Sequence, residues 1–175
     1  AASPTQYGST VAIGNVVVSP SEFMPRLFAE NGRLLDSQGR ITLDTPEALR
    51  ALENYRETYS YSDRTIYDFW KNALEGFADG TAAMTVVFIN YASHILNSQM
   101  SRIAGKLGFA PVPGGKPLLG GGVIGIAQSC TCPAAACKFL EWLYADLVAP
   151  VFTMLGGLSP CRSAYSNRDI SEQYP

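Results

Sequence analysis

Apolar residues return at helical spacing in several parts of the chain, and capping residues bound those parts. Phe23, Leu27 and Phe28 give a short apolar face after Ser19-Pro20-Ser21-Glu22. There Ser19 can cap, Pro20 suits the first helical position and Glu22 completes a capping box. Pro25 should shorten or bend this helix, and Gly32 should end it. Asp44-Thr45-Pro46-Glu47 opens a second helix, with Ala48, Leu52, Tyr55 and Tyr59 as its core face. Ile66, Phe69, Trp70, Ala73 and Phe77 mark a third, ending at Asp79-Gly80. Pro133 opens another, with Ala136, Phe139, Leu140 and Leu143 on one side. A last helical turn over 150–155 stops at Gly156-Gly157, and the polar tail from Ser159 to Pro175 reads as loop.

Between these lie extended signals. Residues 7–18 are β-branched and glycine-punctuated, predicting a strand and a loop. Residues 31–43 form a turn-rich ribbon. Thr81 to Ile89 is a continuous apolar run, which predicts a strand buried on both faces. Residues 107–113 and 123–127 predict two more short strands. Strands alternating with helices predict an α/β fold.

The 175 residues carry 13 Lys and Arg against 15 Asp and Glu, 16% charged and 47% hydrophobic, which predicts a packed globular chain. The basic residues are scattered, so nucleic acid and anionic membrane surfaces are poor partners. The uncharged stretches 1–21, 80–101 and 117–137 are broken by polar residues, glycines or Pro133, and none reads as a spanning helix. The chain opens on Ala1 with no basic leader, as a mature protein or an excised piece would.

Several chemistries lack their context. Cys130, Cys132, Cys137 and Cys161 open on a C-x-C spacing and the single histidine, His94, is distant, so no metal is expected. The cysteines read as small thiols whose pairing the sequence leaves open. Gly120 to Gly125 matches a dinucleotide fingerprint in letters, but a strand follows where a helix must open. Lys116 lacks the first glycine and the hydroxyl of a phosphate loop. No nucleophile elbow exists, and Asp63 and Asp68 read as a solvated helix face, so no cofactor and no catalysis are expected. The aromatics Tyr7, Phe88 and Tyr91 stand at or just past strand ends, where open α/β sheets bind ligands and flat rings can stack on sugars.

A resemblance extends this reading. Phe77-Ala78-Asp79-Gly80-Thr81-Ala82-Ala83-Met84 resembles the F-x-x-G-x-A-A-M element of the family 1 extracellular solute-binding proteins of bacterial ABC transporters, the maltose-binding-protein-like group. Residues 31–36 with 43–52, 108–115 with 119–121, 135–143 and 156–162 resemble further elements of that family, in its order. Members are more than twice as long, so the chain resembles a carboxy-terminal fragment.

The resemblance implies part of a two-lobed, type II periplasmic-binding-protein-like fold with an incomplete first lobe. Residues 1–79 would belong to the second lobe, 80–146 to the first, and 147–175 would cross back. It implies an extracytoplasmic protein, periplasmic or lipid-anchored, that closes by a hinge around a solute, a sugar or oligosaccharide, and serves ABC permease subunits. A ligand-sensing module outside transport and a small hydrolase are the alternatives. Contacts would come from Tyr7, Phe88, Asn90 and Tyr91, from the backbone at Gly121 and Gly122, and from Gly157 and Arg162 in the last crossing segment. Arg162 would meet an anionic solute or pin the hinge through a salt bridge, the second being favoured for neutral sugars. The edges left by a missing lobe would allow a domain-swapped dimer.

Overall fold

The computed structural model describes residues 5–14, 18–65, 70–166 and 168. Expectations that fall on residues 15–17, on Ile66, Asp68 and Phe69, and on the tail beyond Ser166 lie outside them, Arg168 excepted. In chain order the elements are β1 (Tyr7–Ser9), α1 (Val18–Ala29), α2 (Pro46–Ser60), α3 (Trp70–Ala78), β2 (Ala82–Met84), α4 (Ala92–Leu96), α5 (Pro133–Leu143), α6 (Val148–Met154) and α7 (Arg162–Tyr165). The chain divides into two compact units, Ala1–Phe88 with His94–Gly120, and Ile89–Ser93 with Gly121–Pro175.

In the first unit, α1 packs on α2. Leu27, Ala48 and Ala51 are buried together with Phe23 against them. A second small core joins Ala12, Val18 and Ala73. β1 pairs in parallel with β2, Tyr7 opposite Ala82 and Ser9 opposite Met84. Gly8 N–H donates to the Tyr61 carbonyl at 2.9 Å, tying the end of α2 to β1. Thr45 caps α2 by accepting the Ala48 N–H at 3.2 Å, and Pro46 stands in its first turn, as expected. The ribbon over 31–43 forms around an antiparallel bridge between Leu35 and Ile41. The Asp36 carboxylate accepts from the Gln38 and Arg40 amides inside that ribbon.

Several expectations are corrected. α1 includes Val18 and Ser19, so no capping box forms, and Glu22 turns its carboxylate elsewhere. The helix also runs through Pro25 to Ala29. The buried side of α2 is Ala48 and Ala51, while Leu52 is exposed. The strand expected across 81–89 spans only Ala82–Met84, and Met84 is exposed rather than buried. The strands expected at 107–113 and 123–127 are irregular, and a 3₁₀ turn at Pro113–Gly115 begins where the first was to end. An apolar run becomes a strand only where another backbone pairs with it, and among the described residues these two have no such partner.

The second unit is built around α5, α6 and α7. The α6 helix ends as expected at Gly156, whose φ of +91° is the left-handed conformation glycine adopts freely. Gly156 N–H donates to the Thr153 carbonyl and Gly157 N–H to the Phe152 carbonyl, each at 3.0 Å. The expected loop at the tail contains α7, and Tyr165 Oη donates to the Ser159 carbonyl at 2.8 Å. α5 forms where Pro133 predicts it, yet none of its residues is buried. The four cysteines are free thiols.

Candidate functional site

A cavity of about 300 Å³ lies within the first unit. That is the lower end of the range of roughly 300–1,000 Å³ for small-molecule sites. Its lining mixes two chemistries. Met84, Val86 and Phe88, which follow or end β2, and Val112, Pro117 and Leu118 are its apolar members. Ser9, Ser21, Asn54 and Thr58 bring hydroxyls and an amide, and Glu22 with Arg26 brings a charged pair. α1 supplies Ser21, Glu22 and Arg26 on one helical face, and α2 supplies Asn54 and Thr58 one turn apart.

The pair is held tightly. Glu22 is 6% exposed. Its Oε1 accepts the Ala12 N–H at 3.2 Å and its Oε2 accepts from Arg26 Nη1 at 3.0 Å. The same Nη1 donates to the Glu22 carbonyl. The guanidinium lies over the Tyr55 ring, 5.0 Å from its centre. Tyr55 Oη donates to the Ala12 carbonyl at 3.0 Å. Burial pushes the Glu22 carboxyl above its ordinary value, and the Arg26 charge and the two hydrogen bonds pull it back only in part. Burial, and then the Glu22 charge, likewise raises the Tyr55 phenol.

Phe88 is the one residue expected at the site that lines this cavity. It rests on Gly120, where a Cβ would stand 2.8 Å from its ring. Tyr7 lies on β1 beside a shallow polar depression with Tyr61, Asp63 and Arg64. Asn90, Tyr91, Gly121, Gly122, Gly157 and Arg162 all belong to the second unit. Asn90 and Tyr91 share a 3₁₀ turn, Asn90 exposed and Tyr91 half-buried. Open space surrounds Gly121 and Gly122. Gly157 has a packing reason for its missing side chain, since a Cβ there would meet the Phe152 ring at 2.4 Å. Arg162 is exposed at the start of α7 and makes no ion pair among the described residues.

Glu22 and Arg26 were not legible as site residues, because Glu22 fits a capping box so well. The available signal was their i,i+4 spacing on a helix whose neighbours Phe23 and Leu27 are apolar. Among the described residues no group of three or more His, Cys, Asp or Glu side chains could hold a metal ion. No helix among them is long and apolar enough to cross a membrane.

Comparison with known proteins adds the family. YcjN of Escherichia coli strain K12, whose name assigns it as an ABC transporter periplasmic-binding protein, is 28% identical over 91 residues, 52% of this chain and 20% of that protein. Solved structures share the fold over nearly the whole chain. Maltose-bound MalE3 of T. maritima has a TM-score of 0.84 and 25% identity, covering 97% of this chain and 46% of that one. The ABC transporter solute-binding protein of Agrobacterium radiobacter K84 in complex with ribitol has a TM-score of 0.80 and 24% identity, covering 96% and 45%. The GacH receptor of Streptomyces glaucescens GLA.O, solved unliganded and with acarbose, has a TM-score of 0.73 and 22% identity, covering 95% and 44%. The chain thus spans less than half the length of these structures and carries part of the type II periplasmic-binding-protein fold. The profile of the bacterial extracellular solute-binding proteins matches residues 4–175, and the chain belongs to that family.

Proposed function

We propose that the complete protein, as its gene encodes it, captures a small polyhydroxylated solute outside the cell membrane and delivers it to the permease subunits of an ABC importer. The observation that carries this reading is the cavity of the first unit, lined both by apolar side chains and by hydroxyl, amide and charged groups. A sugar or polyol has the same two characters, C–H surface and a fringe of hydroxyls. Relatives of the same fold are bound to ribitol, maltose and acarbose, which supports the same class. The function is binding, and hinge closure of the complete protein would select the liganded state through its higher affinity.

In this reading the lobes divide the chain at 79/80 and 146/147. Phe88 supplies a stacking ring, as do Tyr7 and Tyr91, while Asn90 supplies a polar contact and Arg162 pins the hinge of the complete protein. The backbone at Gly121, Gly122 and Gly157 supplies the rest. The complete protein works in the periplasm or from a lipid anchor at the outer face of the cell membrane. The test is a thermal-shift screen of the complete protein against sugars and polyols. A solute that binds only the folded state raises the melting point by mass action. The expected result is a dose-dependent rise with at least one neutral sugar or polyol, and a flat response to the whole set would overturn the reading.

A further inference from the structure

We infer that Glu22 and Arg26 together set the specificity of the first-unit cavity, selecting a neutral solute with adjacent hydroxyls over an anionic one. This rests on the solute-binding reading and names the residues that would decide its substrate class. Both side chains line the cavity, and Glu22 is among the most deeply buried charged groups of the described chain.

The pair is only half used by the protein. Each Glu22 oxygen takes one hydrogen bond, from Ala12 N–H or from Arg26 Nη1, and a carboxylate oxygen has room for a second. On Arg26 only Nη1 is engaged among the described residues. Nε is buried with no partner, and Nη2 makes no hydrogen bond there. Nε is sealed from the cavity, so the spare donor beside the Glu22 acceptors is Nη2. A hydroxyl can use both, giving its proton to the carboxylate while its oxygen accepts from the guanidinium. Adjacent hydroxyls match the pair better than a single one.

Charge supplies the selection. Glu22 and Arg26 already balance each other, so a neutral solute enters without an uncompensated charge. An anion would bring a second negative group beside a buried carboxylate, where low dielectric strengthens the repulsion. Tyr55 fixes the guanidinium plane from the other side, so Arg26 cannot turn freely toward an incoming anion.

The test measures binding of ribitol, glucose and maltose to the complete protein by titration calorimetry, each beside its own aldonate: ribonate, gluconate and maltobionate. The wild-type protein should bind a neutral probe and discriminate against its aldonate. Glu22→Gln keeps the shape and an acceptor for Ala12 but uncovers the Arg26 charge. It should weaken the neutral probe by about tenfold to a hundredfold, the scale of a hydrogen bond to a charged group, and move the preference toward the aldonate. Arg26→Lys keeps the charge balance but loses the planar fork. It should weaken the neutral probe while still rejecting the aldonate. A merely structural role would lower the melting point without moving the ratio of neutral to anionic binding. Wild-type affinity in both variants, an unmoved ratio in Glu22→Gln, or a wild-type preference for an aldonate overturns this inference and leaves the solute-binding reading standing. If Glu22→Gln does not fold, Arg26→Gln decides: it uncovers the Glu22 charge and should reject the aldonate more strongly than the wild type, and an unmoved ratio overturns the inference. Binding to none of these probes and to no sugar or polyol of the thermal-shift screen overturns both.

Discussion

Glu22 and Tyr55 reach Ala12 from different helices, one accepting its N–H and the other donating to its carbonyl. The segment after β1 is thereby fixed against α1 and α2, and Arg26 joins the two anchors by pairing with Glu22 and covering the Tyr55 ring. Removing the cation should expose how much the buried carboxylate depends on it. Arg26→Met is expected to destabilise the fold by about 3 kcal/mol at pH 7, the lower end for broken buried pairs, because Arg26 keeps some exposure. The sign of the pH dependence follows from the raised Glu22 pKa. Relative to the unfolded chain, folding gains from Glu22 most fully below its ordinary value of 4.5, and that gain is lost as pH rises through the folded value. The Met variant's penalty should therefore shrink as the pH is lowered, since a protonated acid has no charge left to compensate. Urea denaturation at pH 7 and pH 5 measures this, and a penalty independent of pH would refute it. At Gly157 the constraint is steric. Gly157→Ala places a Cβ against the Phe152 ring and should cost about 1–3 kcal/mol, the range for overpacking. Equilibrium unfolding of that variant at wild-type stability would show that the ring yields freely, and would leave the backbone-contact role as the reason for glycine.

Helix ends are where local sequence and structure agree best. Asn31 adopts φ +61° after α1, with Gly32 N–H on the Leu27 carbonyl at 2.8 Å and Asn31 N–H on the Phe28 carbonyl at 3.0 Å. This is a Schellman end, and α6 closes in the same way at Gly156 and Gly157. At the other terminus Thr45 completes an orphan amide of α2. Thr45→Ala should lower stability by about 1 kcal/mol, while Thr45→Ser should restore most of it, both read from urea midpoints. Equal losses in the two variants would assign the effect to the methyl group instead of the hydroxyl. Because caps, prolines and glycines act within a turn, the starts of α2 and α5 and the ends of α3 and α6 were readable from sequence. Strands were not, because their existence depends on a partner backbone far away in the chain. Val123 to Ala127 has the composition of a strand and no ladder to join. The candidate site divides along the same line. Phe88 was legible because it stands near the end of a marked apolar run. Glu22 and Arg26 were not, because their burial is created by Ala12 and Tyr55, which only the fold brings near.

Across the whole molecule, much apolar surface stands in water. Leu119, Val123, Leu147 and Leu155 are more than four-fifths exposed, and Phe139 and Trp142 stack 5.7 Å apart on an α5 that buries none of its residues. Single exposed apolar residues are ordinary, but a helix as apolar as α5 with no buried face is not. The chain meanwhile covers less than half of its structural relatives. Apolar burial contributes about 25 cal/mol per Å², so surface of this kind favours association whenever a second surface is available. The 175-residue chain studied by itself is therefore expected to self-associate with rising concentration and to enhance the fluorescence of an apolar dye, with exchange of elements between copies as one route. Trp142→Glu, on the exposed side of α5, should shift sedimentation toward the monomer and reduce dye binding without lowering the unfolding midpoint, because its ring supports no core. A wild-type chain that stays monomeric and dye-silent at high concentration would mean that this surface is tolerated in water. A Trp142→Glu chain that unfolds would mean that α5 is packed more closely than its exposure indicates.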